Sequence, residues 1–224
     1  MTPDARSTGP TLGFEHVYEP AAHPDAPTLL LLHGTGGDEH DLLPLVPLLL
    51  PNAGVLSPRG QVSEHGMPRF FRRLALGVFD QEDLAIRTEA LLRFVDTAAT
   101  TYGFDRANVI AVGLSNGANI AANLILSKGH VLRGAVLFRA MPTRDDAPSA
   151  DATGVQVYMN SGQRDRLITP AQTGALAEQL RVAGASVTLA WDDAGHELTR
   201  EAVAEAAEWL NALSSSSSPA AAAP

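Results

Sequence analysis

Val109-Ile110-Ala111-Val112-Gly113-Leu114-Ser115-Asn116-Gly117 decides how this chain folds: an apolar run suited to a buried strand, then a serine with glycine two residues to either side. After it come Ala118, Ile120, Ala121, Ala122, Leu124, Ile125 and Leu126, interrupted by Asn119 and Asn123 and closed by Ser127-Lys128-Gly129. That pattern predicts a mostly buried helix over 116–127. A strand that passes straight into a helix must bend sharply, and the flanking glycines let the two elements approach closely. The serine at the bend is then held with its hydroxyl in the open, where a nucleophile belongs. The alternative is a serine that only caps a buried helix.

Working outward, further strand-like segments lie at 28–32, 54–57, 135–138, 155–159 and 186–190, several of them continuously apolar, as strands covered on both faces should be. Helical patterns fall at about 41–49, 82–101, 171–183 and 199–213, the last with Val203, Ala206, Ala207, Leu210 and Leu213 on one stripe. This alternation implies an α/β fold with a mainly parallel central sheet and helices on both faces. An extra strand near Phe14–Tyr18 is expected at an edge. Residues 1–10 are expected to be a flexible N-terminus, 11–213 a single domain without a large lid, and 214–224 a disordered, low-complexity tail.

The 224 residues are 45% apolar, enough for a substantial core. A net charge of −9 argues against nucleic acid or an anionic membrane as a partner. The absence of cysteine excludes disulfides, thiolate metal sites and a cysteine nucleophile. No basic-then-apolar leader and no apolar run of about 20 residues is present, so a cytoplasmic protein without integral membrane association is expected.

A serine hydroxyl needs a base to take its proton and a third group to orient that base. His196 is the best-placed base, in the loop Asp193-Ala194-Gly195-His196-Glu197 between the final strand and the final helix, at the carboxyl edge of the sheet where open α/β folds gather their sites. Asp165 follows the strand at 155–159 and reaches the same edge; Asp145 and Asp146 are the next acids, and Asp192 and Asp193 would have to fold back on the histidine's own loop. The order Ser115, Asp165, His196 is that of an α/β-hydrolase. A developing oxyanion requires fixed N–H donors. Asn116 supplies one by position, and Thr35, in the turn His33-Gly34-Thr35-Gly36-Gly37-Asp38, is the choice for the second. His33 itself is read as holding that turn. The turn lacks the ending of a phosphate loop, and there is no metal-ligand spacing, so neither a cofactor nor a metal is expected.

With these segments in hand, the chain resembles the phospholipase/carboxylesterase family, which includes acyl-protein thioesterases and small bacterial carboxylesterases. The likeness runs from about 28 to 213 and is carried by Leu32 to Glu39, Ser57-Pro58-Arg59-Gly60, Met67 to Arg73 and Ser115 to Asn119. It implies a serine hydrolase of short- to medium-chain acyl esters, acting on a small molecule without metal or cofactor, often as a homodimer. Thioesterase and lysophospholipase activities are variants; a non-catalytic binding protein with the same fold is the alternative from another class. Acyl-protein thioesterases usually carry Gln where this chain has Asn116, which puts lipidated-protein substrates in doubt, and 139–153 matches the family poorly. Gly36, Met67, Phe70, Phe71, Phe79 and Leu167 are candidates for the substrate pocket, with core packing the competing reading of the aromatic residues. Arg69, Arg72 and Arg73 either meet an acidic substrate group or form a solvated face paired with Asp80, Glu82 and Asp83.

Overall fold

A run such as Leu29-Leu30-Leu31-Leu32 has no polar face to offer water, and all four leucines are fully buried in the computed structural model, which describes residues 12–144, 146 and 148–215. The chain begins with β1 (His16–Glu19), β2 (Thr28–Leu32), α1 (Val46–Leu49) and β3 (Gly54–Pro58). Four short strands follow, β4 (Val62–Glu64), β5 (Met67–Arg69), β6 (Arg73–Ala75) and β7 (Val78–Phe79), then α2 (Gln81–Tyr102). The second half contains β8 (Val109–Leu114), α3 (Asn116–Lys128), β9 (Gly134–Phe138), β10 (Gln156–Gly162), α4 (Pro170–Val182), β11 (Ser186–Asp192) and α5 (Arg200–Ser215).

Seven strands form one sheet in the order β1-β3-β2-β8-β9-β10-β11. Every pairing is parallel except that of the edge strand β1 with β3. Successive side chains of a strand point to opposite faces, and the core divides accordingly. Leu30, Leu32 and Ala111 pack with α2, α3 and α4, while Leu29, Leu31, Ile110 and Val112 pack with α1 and α5. The parallel strands therefore end together at one edge, and the loops leaving β8, β10 and β11 meet there.

Two expectations are corrected, and one further segment takes a form that patterning did not reveal. The helix expected over 41–49 is a 3₁₀ turn at Leu43–Leu45 followed by the four-residue α1. Pro44 and Pro47 withhold the N–H groups that one continuous helix would need. Residues 61–81 form two small hairpins, β4–β5 and β6–β7, which sequence patterning did not reveal. The last helix takes in Ser214 and Ser215, the first two residues of the expected tail; the rest of that tail, the N-terminal residues 1–11 and Asp145 lie outside the described residues.

Arg139, the first residue after β9, is fully buried with a left-handed backbone (φ 53°). Its guanidinium donates to the Asp192 carboxylate at 2.8 Å, to the Glu197 carbonyl at 2.7 Å and to the side-chain oxygen of Asn160. One side chain thus ties the ends of β9, β10 and β11 together beneath the loop that carries His196. Removing one partner of a buried ion pair strands the other. Arg139→Met is therefore expected to lose about 3–5 kcal/mol of stability, read as a lower urea midpoint at an unchanged slope.

Candidate active site

At the end of β8 the backbone of Ser115 takes φ 51°, ψ −111°, a region an L-residue adopts only under constraint. The constraint is visible on both sides. The Ser115 N–H donates to the Phe138 carbonyl at 2.9 Å, and its own carbonyl accepts from the Asn119 N–H at 2.9 Å as α3 begins. A β-carbon on Gly117 would sit 2.0 Å from the Leu32 carbonyl oxygen, and one on Gly113 would sit 2.6 Å from Ala118. The flanking glycines are thus what lets helix and strand approach closely enough to enforce the turn.

The side chains of Ser115, His196 and Asp165 form one hydrogen-bonded line. His196 Nε2 lies 2.9 Å from Ser115 Oγ, and Nδ1 lies 2.7 Å from Asp165 Oδ2. Asp165 is buried, and its other oxygen accepts from the N–H groups of Leu167 (2.7 Å) and Ile168 (3.0 Å), so the carboxylate is fixed before it meets the imidazole. The two loops are tied to each other as well: the Gln163 N–H donates to Asp192 and the Arg164 N–H to Ala194, both at 2.9 Å. Gly162 makes this possible, since a β-carbon there would lie 2.3 Å from the Gly195 carbonyl oxygen. The competing acids are engaged elsewhere. Asp192 pairs with Arg139, Asp193 with Arg164, and Asp146 with Arg144 at the surface.

Among the described residues, the backbone N–H groups of Thr35 and Asn116 have no acceptor, and both residues line a narrow cleft with Ser115 and His196. His33 supports the Gly-rich turn from below. Its Nδ1–H donates to the Gly34 carbonyl at 2.6 Å and its Nε2 accepts from the Gly60 N–H at 2.9 Å, an arrangement open only to the neutral ring. Burial pushes its pKa down, in keeping with that neutral state.

Of the expected pocket residues, Phe79 and Leu167 line the cleft. Phe70 and Phe71 belong instead to the core, Phe70 against the His33 ring at 4.7 Å and Phe71 against Phe79 at 5.2 Å. Gly36 and Met67 do not line the cleft: the Gly36 N–H donates to the Pro68 carbonyl at 2.9 Å, and Met67, 40% exposed, packs over Gly36. The reading of a solvated arginine face holds for Arg72, which pairs with Asp80 at 3.2 Å. Arg73 pairs with Glu64 at 2.8 Å, outside the expected acids. Arg69 is only 3% exposed: it donates to Thr35 Oγ1 at 2.6 Å and to the Phe71 carbonyl at 3.2 Å, and so braces the Gly-rich turn.

Three asparagines on α3 complete the walls. The Asn116 side chain accepts from the Phe70 N–H at 2.7 Å and that of Asn119 from the Met141 N–H at 2.9 Å, while Asn123 donates to Thr88 Oγ1 at 2.9 Å. The helix that positions the serine thus also holds the two loops beside it. The signal was present in the sequence as polar residues spaced along a helix otherwise suited to complete burial.

A family model for phospholipase/carboxylesterase proteins matches residues 14–214. The chain belongs to the phospholipase/carboxylesterase family. It is an esterase-type hydrolase with an α/β-hydrolase fold, as this family membership and its carboxylesterase neighbours establish. Over 196 residues it is 47% identical to a Bacillus subtilis protein named as a hydrolase, MhqD, covering 88% of this chain and 97% of that one. Among solved structures, a Bacillus cereus carboxylesterase shares 47% identity with a TM-score of 0.86, covering 88% of this chain and 93% of that one. YahD, solved with malic acid, shares 31% identity with a TM-score of 0.83, covering 88% and 98%.

The elbow's steric demand can be separated from helix propensity by a matched pair of substitutions. Gly174 lies inside α4 with open space where a β-carbon would go. Gly174→Ala is expected to stabilise by about 0.5–1 kcal/mol. Gly117→Ala, in a helix too, is expected to destabilise despite the same gain in propensity. Thermal unfolding of the two variants checks both signs.

Proposed function

We propose that this protein is a serine carboxylesterase that hydrolyses short- to medium-chain acyl esters through an acyl-enzyme on Ser115. The observation that carries the reading is the unbroken line of hydrogen bonds from Asp165 through His196 to Ser115, set on a strained elbow. With Nδ1–H donated to the Asp165 carboxylate, Nε2 is left to accept the serine proton as Oγ attacks the ester carbonyl. Asp165 fixes that tautomer and stabilises the imidazolium that forms. The unengaged N–H groups of Thr35 and Asn116 receive the developing oxyanion, a contribution worth about 3–4 kcal/mol per donor in comparable sites. His196 then returns its proton to the leaving alcohol. A water molecule, activated by the same imidazole, attacks the acyl-enzyme and frees the serine.

Size and lining support small substrates. The cleft at Ser115 encloses about 60 Å³, and Leu76 and Leu167 give its mouth an apolar rim. Gly77 and Phe79 also border a neighbouring cavity of about 580 Å³. The malic acid of the YahD structure makes small carboxylic acids and their esters natural compounds to include in a substrate panel.

On p-nitrophenyl acetate and butyrate, Ser115→Ala is expected to abolish turnover above background. Asp165→Asn is expected to lower kcat by about 10⁴-fold, since the imidazole then loses its orienting carboxylate. Asp146→Asn, at an exposed pair with Arg144, should leave kcat close to that of the wild type. Undiminished turnover in Ser115→Ala, or a larger loss at Asp146 than at Asp165, contradicts the assignment.

A further inference from the structure

Two arginines line the cleft together with Ser115 and His196: Arg69, nearly inaccessible to solvent, and Arg73, partly exposed. A single carboxylate, Glu64, faces both, at 2.8 Å from Arg73 Nε and 3.5 Å from Arg69 Nη1. Among the described residues no other carboxylate forms an ion pair with either arginine, so Glu64 is shared between two positive charges. The hydrogen-bond inventory points the same way. Arg69 spends Nε on Phe71 and Nη1 on Thr35, and Arg73 spends Nε on Glu64. Among the described residues, Nη2 of Arg69 and both Nη atoms of Arg73 have no partner.

These donors are not sealed away from the cleft, and the planar fork of a guanidinium matches the two oxygens of a carboxylate. We propose that Arg69 and Arg73 form an anion subsite beside Ser115, and that the preferred substrates are esters carrying a free carboxylate. The inference rests on the esterase reading above and narrows it to a substrate class. Burial, followed by repulsion from Arg73, holds the Arg69 guanidinium below its usual pKa, and a bound anion offsets both effects. Arg72, whose charge is met by Asp80 at the surface, takes no part.

The carboxylate can lie on the acyl side or on the alcohol side of the ester, and two matched pairs separate these. Monomethyl succinate against methyl pentanoate tests the acyl side; acetoxyacetate against propyl acetate tests the alcohol side. In the wild type, kcat/KM for the charged member is expected to exceed that of its neutral partner in at least one pair. Arg73→Gln should lower that ratio by about tenfold or more, the size of one charge-assisted hydrogen bond, and Arg73→Lys should restore most of it. A wild-type ratio at or below one in both pairs, or a ratio that Arg73→Gln leaves in place, overturns the proposal.

A binding measurement separates failure of the subsite from failure of the esterase reading. Calorimetric titration of Ser115→Ala with monomethyl succinate and with acetoxyacetate requires no turnover. Saturable binding of either that weakens about tenfold when Arg73→Gln is added supports the subsite even if no ester is hydrolysed. Absence of binding for both, or binding indifferent to Arg73, overturns the subsite even if neutral esters are turned over.

Discussion

Everything in this protein that resembles an active site is arranged around one strained residue. Ser115 holds a backbone conformation that costs a non-glycine residue about 1–3 kcal/mol, and it persists only because strand and helix on either side leave it no alternative. Close contact between α3 and β2 at Gly117, and between the elbow and Ala118 at Gly113, fixes the turn, while the Phe138 carbonyl holds the serine N–H from the neighbouring strand. The elbow therefore aims the hydroxyl along a direction set by the sheet and not by a flexible loop. Partners supplied by other strands can meet it only if their own loops are held as firmly.

The sheet meets that requirement through buried polar ties at its carboxyl edge. Arg139 joins the ends of β9, β10 and β11; backbone hydrogen bonds join the Asp165 loop to the His196 loop; Asn116 and Asn119 join α3 to the hairpin and the loop that wall the cleft. Such groups add little net stability over an apolar core of the same shape. What they supply is geometry, holding the line from Asp165 to Ser115 at hydrogen-bonding distance.

Much of this was legible in the sequence, because the strongest constraints leave local marks. Strands buried on both faces read as continuous apolar runs, the elbow demands glycine at fixed offsets, and Asp165 and His196 fall just past strand ends. Elsewhere the deciding contacts are long-range. Strands β4 to β7 span two or three residues each, too short for alternation to show. Arg69 lies in a charged stretch that suggests a solvated face, yet Thr35 and Phe71 draw it inside. Phe70 and Phe71 are equally plausible as pocket or core until His33 and Phe79 are seen against them. Nothing adjacent to Arg139 marks it as the hub of three strand ends, since its partners at Asn160, Asp192 and Glu197 converge only in the fold.

We propose that the geometry of the elbow makes Ser115, among the many serines of this chain, the nucleophile. The most direct test is reaction of the native protein with a fluorophosphonate, followed by intact-mass analysis and peptide mapping. One adduct per chain, located on Ser115, is expected. No adduct, or one on another serine, contradicts it.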